Sequence, residues 1–147
     1  MKPCIFTGSA VAIVTPFRAG SIDFNAFDRL VERQIQGGTD AIVVCGTTGE
    51  AATLNYDERV ALIERCVRIV DRRVPVIAGS GTNSTASSIA LSKAAQSAGV
   101  DALLTVTPYY NKASQSGLVQ HFSAIADAVE IPLILYNVPS RTGVSCT

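Results

Sequence analysis

Thr47 and Thr48 stand side by side in Gly46-Thr47-Thr48-Gly49-Glu50, directly after the apolar run Ala41-Ile42-Val43-Val44-Cys45. Hydroxyls and backbone amides in such a turn, just before a helix, suit a carboxylate or another anion. The motif is not a phosphate-binding P-loop, because the lysine of that loop is absent. An ordinary strand-to-helix turn is the plainer alternative. The same plan recurs in Leu103-Leu104-Thr105-Val106-Thr107-Pro108-Tyr109-Tyr110-Asn111 and in Leu133-Ile134-Leu135-Tyr136-Asn137-Val138-Pro139-Ser140-Arg141-Thr142-Gly143. Three strand ends thus bring Thr47, Thr48, Tyr109, Tyr110, Tyr136 and Arg141 to one rim. Two adjacent tyrosines at a strand end cannot both point into one core, so at least one reaches a site or a subunit contact. An arginine in a loop stiffened by Pro139 can grip a carboxylate through two parallel hydrogen bonds.

Other polar groups read as structural. Gly79-Ser80-Gly81-Thr82 lacks the spacing of a dinucleotide fingerprint and is a tight loop. The single histidine, His121, sits in a helical pattern beside Phe122, and no metal site assembles around it. The three lysines are Lys2, Lys93 and Lys112, and none of them ends a strand. Lys93 falls on a helix, and Lys112 reads as a flexible charge in a rim loop. The four cysteines, Cys4, Cys45, Cys66 and Cys146, show no C-x-x-C spacing, which fits reduced thiols in a cytoplasmic protein.

The elements that must hold these residues follow from the hydropathy pattern. Continuous apolar runs near residues 9–15, 40–45, 74–78, 101–105 and 132–136 suit parallel strands buried on both faces. Helical stripes lie between them. Phe24, Phe27, Leu30, Val31 and Ile35 share one face, which Gly37-Gly38 ends. Asn55 and Glu58 are spaced for a capping box, ahead of the stripe Val60, Ile63, Val67 and Val70. A third helix from about residue 84 packs through Ala90, Ala94, Ala95 and Ala98. A fourth, from about Ser114, turns Leu118, Phe122, Ile125, Ala126 and Val129 inward.

This alternation predicts an α/β fold with a parallel sheet and no linker. An open doubly wound sheet gathers its functional loops at a switch point, whereas a (β/α)8 TIM barrel turns every strand end toward one centre. Polar chemistry is spread over every strand end, which favours the barrel. Such a barrel takes about 250 residues. The 147 residues here supply roughly its first five strands and four helices. The expectation is one incomplete barrel domain over residues 1–147, the amino-terminal part of a longer enzyme. The net charge of +0 and the lack of a charge run argue against a nucleic-acid partner. No apolar stretch reaches the ~18 residues of a membrane span, and a signal peptide at Met1-Lys2-Pro3-Cys4 is weakly supported.

Phe6-Thr7-Gly8-Ser9, Ala12-Ile13-Val14-Thr15-Pro16, Gly46-Thr47-Thr48-Gly49-Glu50, the Thr105-to-Asn111 segment and Tyr136-Asn137-Val138-Pro139-Ser140-Arg141-Thr142-Gly143 together resemble the 4-hydroxy-tetrahydrodipicolinate (dihydrodipicolinate) synthase family. The likeness runs over essentially the whole chain. It implies a cytoplasmic homotetrameric barrel, a dimer of dimers, in lysine and diaminopimelate biosynthesis. There pyruvate forms a Schiff base with a lysine, and its enamine attacks L-aspartate 4-semialdehyde. No cofactor is implied. By this resemblance Thr47, Tyr110 and Tyr136 form a proton relay, with Tyr110 reaching a neighbouring subunit's site. Thr48 binds the pyruvate carboxylate, and Arg141 holds the semialdehyde carboxylate. Hydroxyls linked in this way move protons although a free tyrosine, with a pKa of about 10, is a poor base.

Two departures accompany the resemblance. The family's Schiff-base lysine ends a sixth strand that these residues do not include, so the isolated chain is expected to be inactive. Tyr109 and Asn83 match an interface site for inhibitory lysine, but Tyr56, Arg59 and Ser87 stand where lysine-inhibited relatives usually carry a histidine or glutamate. Two other readings are another pyruvate-dependent class I aldolase of the same superfamily and a non-catalytic partial barrel.

Overall fold

The computed structural model describes residues 4–147; Lys2 and the start of the segment weighed as a signal peptide lie outside the described residues. Five strands form one parallel sheet: β1 (Ala10–Ala12), β4 (Ala41–Val44), β5 (Val76–Gly79), β6 (Ala102–Val106) and β7 (Leu133–Tyr136), in that spatial order. A small antiparallel hairpin, β2 (Phe17–Arg18) with β3 (Ser21–Ile22), follows β1. Its two-residue turn, Ala19-Gly20, has positive φ at both positions (51° and 81°), which matches the twist of a tight hairpin. The hydropathy reading did not foresee it, because a pair of two-residue strands leaves no periodicity.

The strand order follows the chain without reversal, so the sheet has no topological switch point. This is the order of consecutive barrel strands. Helices α1 (Phe24–Gln36), α2 (Tyr56–Val70), α3 (Thr85–Ala98) and α4 (Gln115–Asp127) join them, each packing on the next. Period-two alternation sorts the strand side chains into two apolar layers. Ile42, Val44, Val76, Ala78 and Leu103 join Phe27, Val31, Leu62, Ile63 and Val70 in the layer beneath the helices. Ala41, Val43, Ile77 and Ala102 turn to the opposite face, where Ile5, Phe6, Ala10, Leu104 and Ile134 pack against them. Both sides are covered, which is why these strands read as unbroken apolar runs.

Local signals set the helix ends. Asp23 accepts from the Ala26 amide at 2.9 Å and starts α1. Asn55 Oδ1 accepts from the Glu58 amide while Glu58 Oε2 accepts from the Asn55 amide, each at 2.9 Å, so the capping box forms. Arg65 pairs with Asp28, and Arg73 with Glu32 at 2.6 Å, across the α1–α2 contact.

Three buried faces are rotated from the sequence reading. On α2 the buried side chains are Arg59, Leu62, Ile63, Cys66 and Val70, while Val60 and Val67 are half-buried. On α3 they are Ser88, Leu91, Ser92 and Ala95, and Ala90 is exposed. The reason is polar: Ser92 Oγ donates to Ser80 Oγ at 2.9 Å, which lies 3.4 Å from Thr105 Oγ1 in the fully buried space between α3 and the sheet. On α4, Ala126 is exposed and His121 takes an inward position, its Nδ1 2.8 Å from Thr85 Oγ1. The expected loop around Arg141 holds a short helix, α5 (Pro139–Thr142), because Pro139 fits the first helical turn.

The ends of β4 and β5 meet backbone to backbone. A Cβ built on Gly79 would lie 1.9 Å from the Cys45 carbonyl oxygen, whereas one on Gly46 would meet only Val43 Cγ1 at 3.4 Å. Gly79→Ala should therefore cost roughly 3 kcal/mol and Gly46→Ala under about 1 kcal/mol, read by urea denaturation. His121 gives a second expectation. Burial holds its pKa below the ordinary 6.5, and Nε2 has no partner among the described residues. As pH falls through about 6.5 the unfolded chain binds a proton that the folded chain does not, so stability declines from there down to the native pKa. The urea midpoint should drop between pH 7 and 5.5 and be flatter in His121→Gln. Asp23, Asp28 and Glu32, held below the usual carboxylate range by a backbone amide, Arg65 and Arg73 respectively, titrate beneath that window.

Candidate active site

Strand ends and the turns after them enclose a cleft of about 750 Å³. Its floor is the face of the sheet away from the helices: Gly79 and Gly81 from β5 and its loop, Leu104 and Val106 from β6, and Tyr136 from β7. Small residues on β5 are needed there, since a Cβ on Gly81 would sit 2.4 Å from the Val106 amide nitrogen. Chemistry enters only where the strands stop.

The turn after β4 is held from two sides. Thr15 Oγ1 donates to the Gly49 carbonyl at 2.8 Å in buried surroundings, tying the turn to the end of the first strand. Within it the Gly49 amide donates to Gly46 O (3.1 Å) and the Glu50 amide to Thr47 O (3.0 Å). Among the described residues the amides of Thr47 and Thr48 have no protein acceptor. Thr47 lines the cleft; Thr48 is exposed beside it and does not.

Tyr136 closes β7, and its carbonyl accepts from Thr107 through both the amide (3.1 Å) and Oγ1 (3.3 Å). Arg141 follows on α5, whose end is fixed by Thr142 Oγ1 donating to Val144 O at 2.8 Å. Tyr109 and Tyr110 both line the cleft, with Tyr109 half-buried and Tyr110 91% exposed in a left-handed conformation (φ 72°). Asn111 Nδ2 donates to Asn83 O at 3.0 Å, joining this loop to the one before α3. Asn83 itself does not line the cleft. The cavity thus gathers Thr47, Tyr109, Tyr110, Tyr136 and Arg141, and leaves Thr48 and Asn83 at its margin. Among the described residues no hydrogen bond joins the hydroxyls of Thr47, Tyr110 and Tyr136.

Two side chains in the wall are not functional candidates on sequence alone. Arg59 is 5% exposed, donates from Nη2 to Gly79 O at 2.7 Å, and has no acidic partner among the described residues. Burial lowers its pKa, partly offset by Cys45 and Tyr109 nearby. The spacing 59, 62, 63, 66, 70 is as helical as 60, 63, 67, 70, and the charge on Arg59 conceals it. Cys45 lies between β4 and the turn with its thiol pushed up to about 12 by burial, the Arg59 charge opposing only in part. The cleft is lined by three cations, Arg59, Lys112 and Arg141, against one carboxylate, Glu50, a balance suited to an acidic small molecule. Among the described residues no cluster of His, Cys, Asp and Glu could hold a metal ion, and no helix is long and apolar enough to cross a membrane.

Comparison with known proteins decides the family. The model of the dihydrodipicolinate synthetase family matches residues 5–147. The chain belongs to that family. It is 61% identical over 141 residues to the 4-hydroxy-tetrahydrodipicolinate synthase of Geobacter metallireducens, covering 96% of this chain and 49% of that protein. Among solved structures, the dihydrodipicolinate synthase of Aquifex aeolicus superposes with a TM-score of 0.95 at 47% identity, over 97% of this chain and 48% of the other. The chloride-inhibited enzyme of Acinetobacter baumannii, solved with pyruvate, gives a TM-score of 0.95 at 54% identity, over 98% of this chain and 50% of that one. The chain spans about half the length of the curated relatives it matches. Its sheet is therefore the first five strands of the family's (β/α)8 barrel, and the cleft lies at the carboxyl-terminal ends of those strands.

Thiol chemistry should follow burial. An aromatic disulfide reagent at pH 8 should titrate exposed Cys4 at once and half-buried Cys146 more slowly; Cys45 and Cys66, each near 12, should react only after unfolding.

Proposed function

We propose that this chain forms the amino-terminal half of the active site of a 4-hydroxy-tetrahydrodipicolinate synthase, a lyase that condenses pyruvate with L-aspartate 4-semialdehyde for lysine and diaminopimelate biosynthesis. The observation that carries the reading is the shared cationic cleft of Thr47, Tyr110, Tyr136 and Arg141 at the strand ends. Both substrates are carboxylates, and the Thr47 and Thr48 amides, free of protein acceptors among the described residues, offer donors for one of them. Arg141 binds the other and orients Tyr136. Thr47, Tyr136 and Tyr110 pass protons during imine formation and cyclisation. Since these hydroxyls do not touch one another here, the relay is completed by substrate and by a neighbouring subunit, which the outward Tyr110 reaches. The enzyme is cytoplasmic and tetrameric, and residues 1–147 are one incomplete barrel domain within it. Its Tyr109–Asn83 margin forms the subunit contact. Arg59 lies in the cleft wall within electrostatic reach of Tyr109.

The amine that carries pyruvate is not among the lysines here. Lys93 is exposed on α3, and Lys112, although it lines the cleft, is exposed in a rim loop. Covalent catalysis needs an amine of lowered pKa in an enclosed pocket. Two arms test the reading. Borohydride reduction with pyruvate should leave the 147-residue chain unmodified by mass spectrometry; a stable adduct on Lys112 would overturn the assignment. Joined to the remaining half of the Geobacter metallireducens relative, the chain should condense the two substrates. There Thr47→Val should lower kcat by about 10²-fold or more with little change in the KM for pyruvate. Wild-type turnover in that variant would remove Thr47 from the relay.

A further inference from the structure

The chain leaves β6 through Val106-Thr107-Pro108-Tyr109-Tyr110. Val106 and Tyr136 are register partners on β6 and β7, and both line the cleft. Thr107, the next residue, does not line it and is 0% exposed. A strand reverses its side chains at every residue, so Thr107 turns to the helix side, as Leu103 and Thr105 do. There its amide and its Oγ1 both donate to the carbonyl of Tyr136, at 3.1 and 3.3 Å. With its proton on that oxygen, the hydroxyl accepts from the Cys146 thiol, 3.6 Å away. Burial alone does not call for a hydroxyl here. Valine has nearly the same shape, suits a strand as well and brings no polar atom to desolvate, whereas a buried hydroxyl is unfavourable unless it is bonded. Threonine adds one thing that valine lacks, the second bond to Tyr136.

We propose that Thr107 is a positioning residue for the Tyr136 phenol. The inference rests on the synthase reading above, in which Tyr136 passes protons. Tyr136 is the last residue of β7, and Asn137 after it is exposed beyond the strand. An end rung of a sheet held by one amide is free to fray, whereas a second donor on the carbonyl's other lone pair fixes the peptide plane that follows Tyr136. That plane sets the backbone from which the phenol projects. The hydroxyl lies at the far end of the side chain, so a small rotation at Cα is magnified there, and an error of about 1 Å in a reacting group costs up to about 10²-fold in rate. Thr107 also opens the segment that carries Tyr109 and Tyr110. One buried residue thus ties together the two strand ends that bring tyrosines to the cleft. Because its own side chain faces away from the cleft, its effect passes through Tyr136.

The test uses this chain joined to the remaining half of the Geobacter metallireducens relative. Thr107→Val should lower kcat about tenfold and leave the KM for pyruvate within about twofold. Thr107→Ser keeps the hydroxyl and loses a buried methyl, so it should hold kcat within about threefold of the unsubstituted enzyme while unfolding at lower urea than Thr107→Val. Activity and stability then rank the two variants in opposite order, which a packing role does not produce. In a Tyr136→Phe background Thr107→Val should have no further effect on kcat, because the phenol through which it acts is gone. Turnover indifferent to Thr107→Val, a loss shared by Thr107→Ser, or a loss that persists beside Tyr136→Phe would each overturn the inference and leave the synthase reading in place. A joined enzyme that does not condense the two substrates, or that turns over normally as Tyr136→Phe, would remove that reading and this inference with it.

Discussion

A parallel strand covered on both faces leaves no side chain free for chemistry until it ends. That constraint organises this molecule. Successive residues of β4, β5 and β6 alternate between the helix layer and the inner layer, and both layers are apolar. Register is fixed because a one-residue slip would exchange the two sets. The Thr47 hydroxyl, the phenols of Tyr109, Tyr110 and Tyr136 and the Arg141 guanidinium then line the cleft at the rim, where the chain leaves the sheet. The cleft is thus a consequence of the strand packing.

The polar groups inside are placed where they brace that rim. Ser80, Ser92 and Thr105 bond one another between α3 and the sheet, directly under the loops that follow β5 and β6. Arg59 reaches from α2 to the Gly79 carbonyl, at the point where β5 lies in backbone contact with Cys45. A buried guanidinium without a carboxylate is costly unless its hydrogen bonds and setting compensate. Its position behind the Gly46–Thr47 turn joins the cost of burial to the geometry of the site. Thr15 does the same from the other side, through Gly49.

Family membership and fold describe different extents. Residues 5–147 match the dihydrodipicolinate synthetase family, and the superposition on whole enzymes is close, yet about half of each relative has no counterpart here. Within this half, four consecutive helices and five strands pack on one another. Thr47, Tyr109, Tyr110, Tyr136 and Arg141 line the cleft at the rim of this half.

The sequence by itself determined the five strands, the four main helices, the capping box at Asn55 and Glu58, and the rim that carries Thr47, Tyr109, Tyr110, Tyr136 and Arg141. These signals are local: apolar runs, helical spacing and turn residues are written in neighbouring positions. Only the tertiary structure decided which helix faces are buried, because that depends on what the sheet presents. Buried Ser80, just after β5, turned Ser92 inward, Thr82 in the following loop took Ser88, and the Gly79 carbonyl drew in Arg59 in place of Val60. It alone set Thr48 and Asn83 at the margin of the cleft and raised the Cys45 thiol to about 12. The placements of Ser92, Arg59 and His121 are fixed by partners 12, 20 and 36 residues away, Ser80, Gly79 and Thr85, and no pattern of adjacent residues encodes such a pairing.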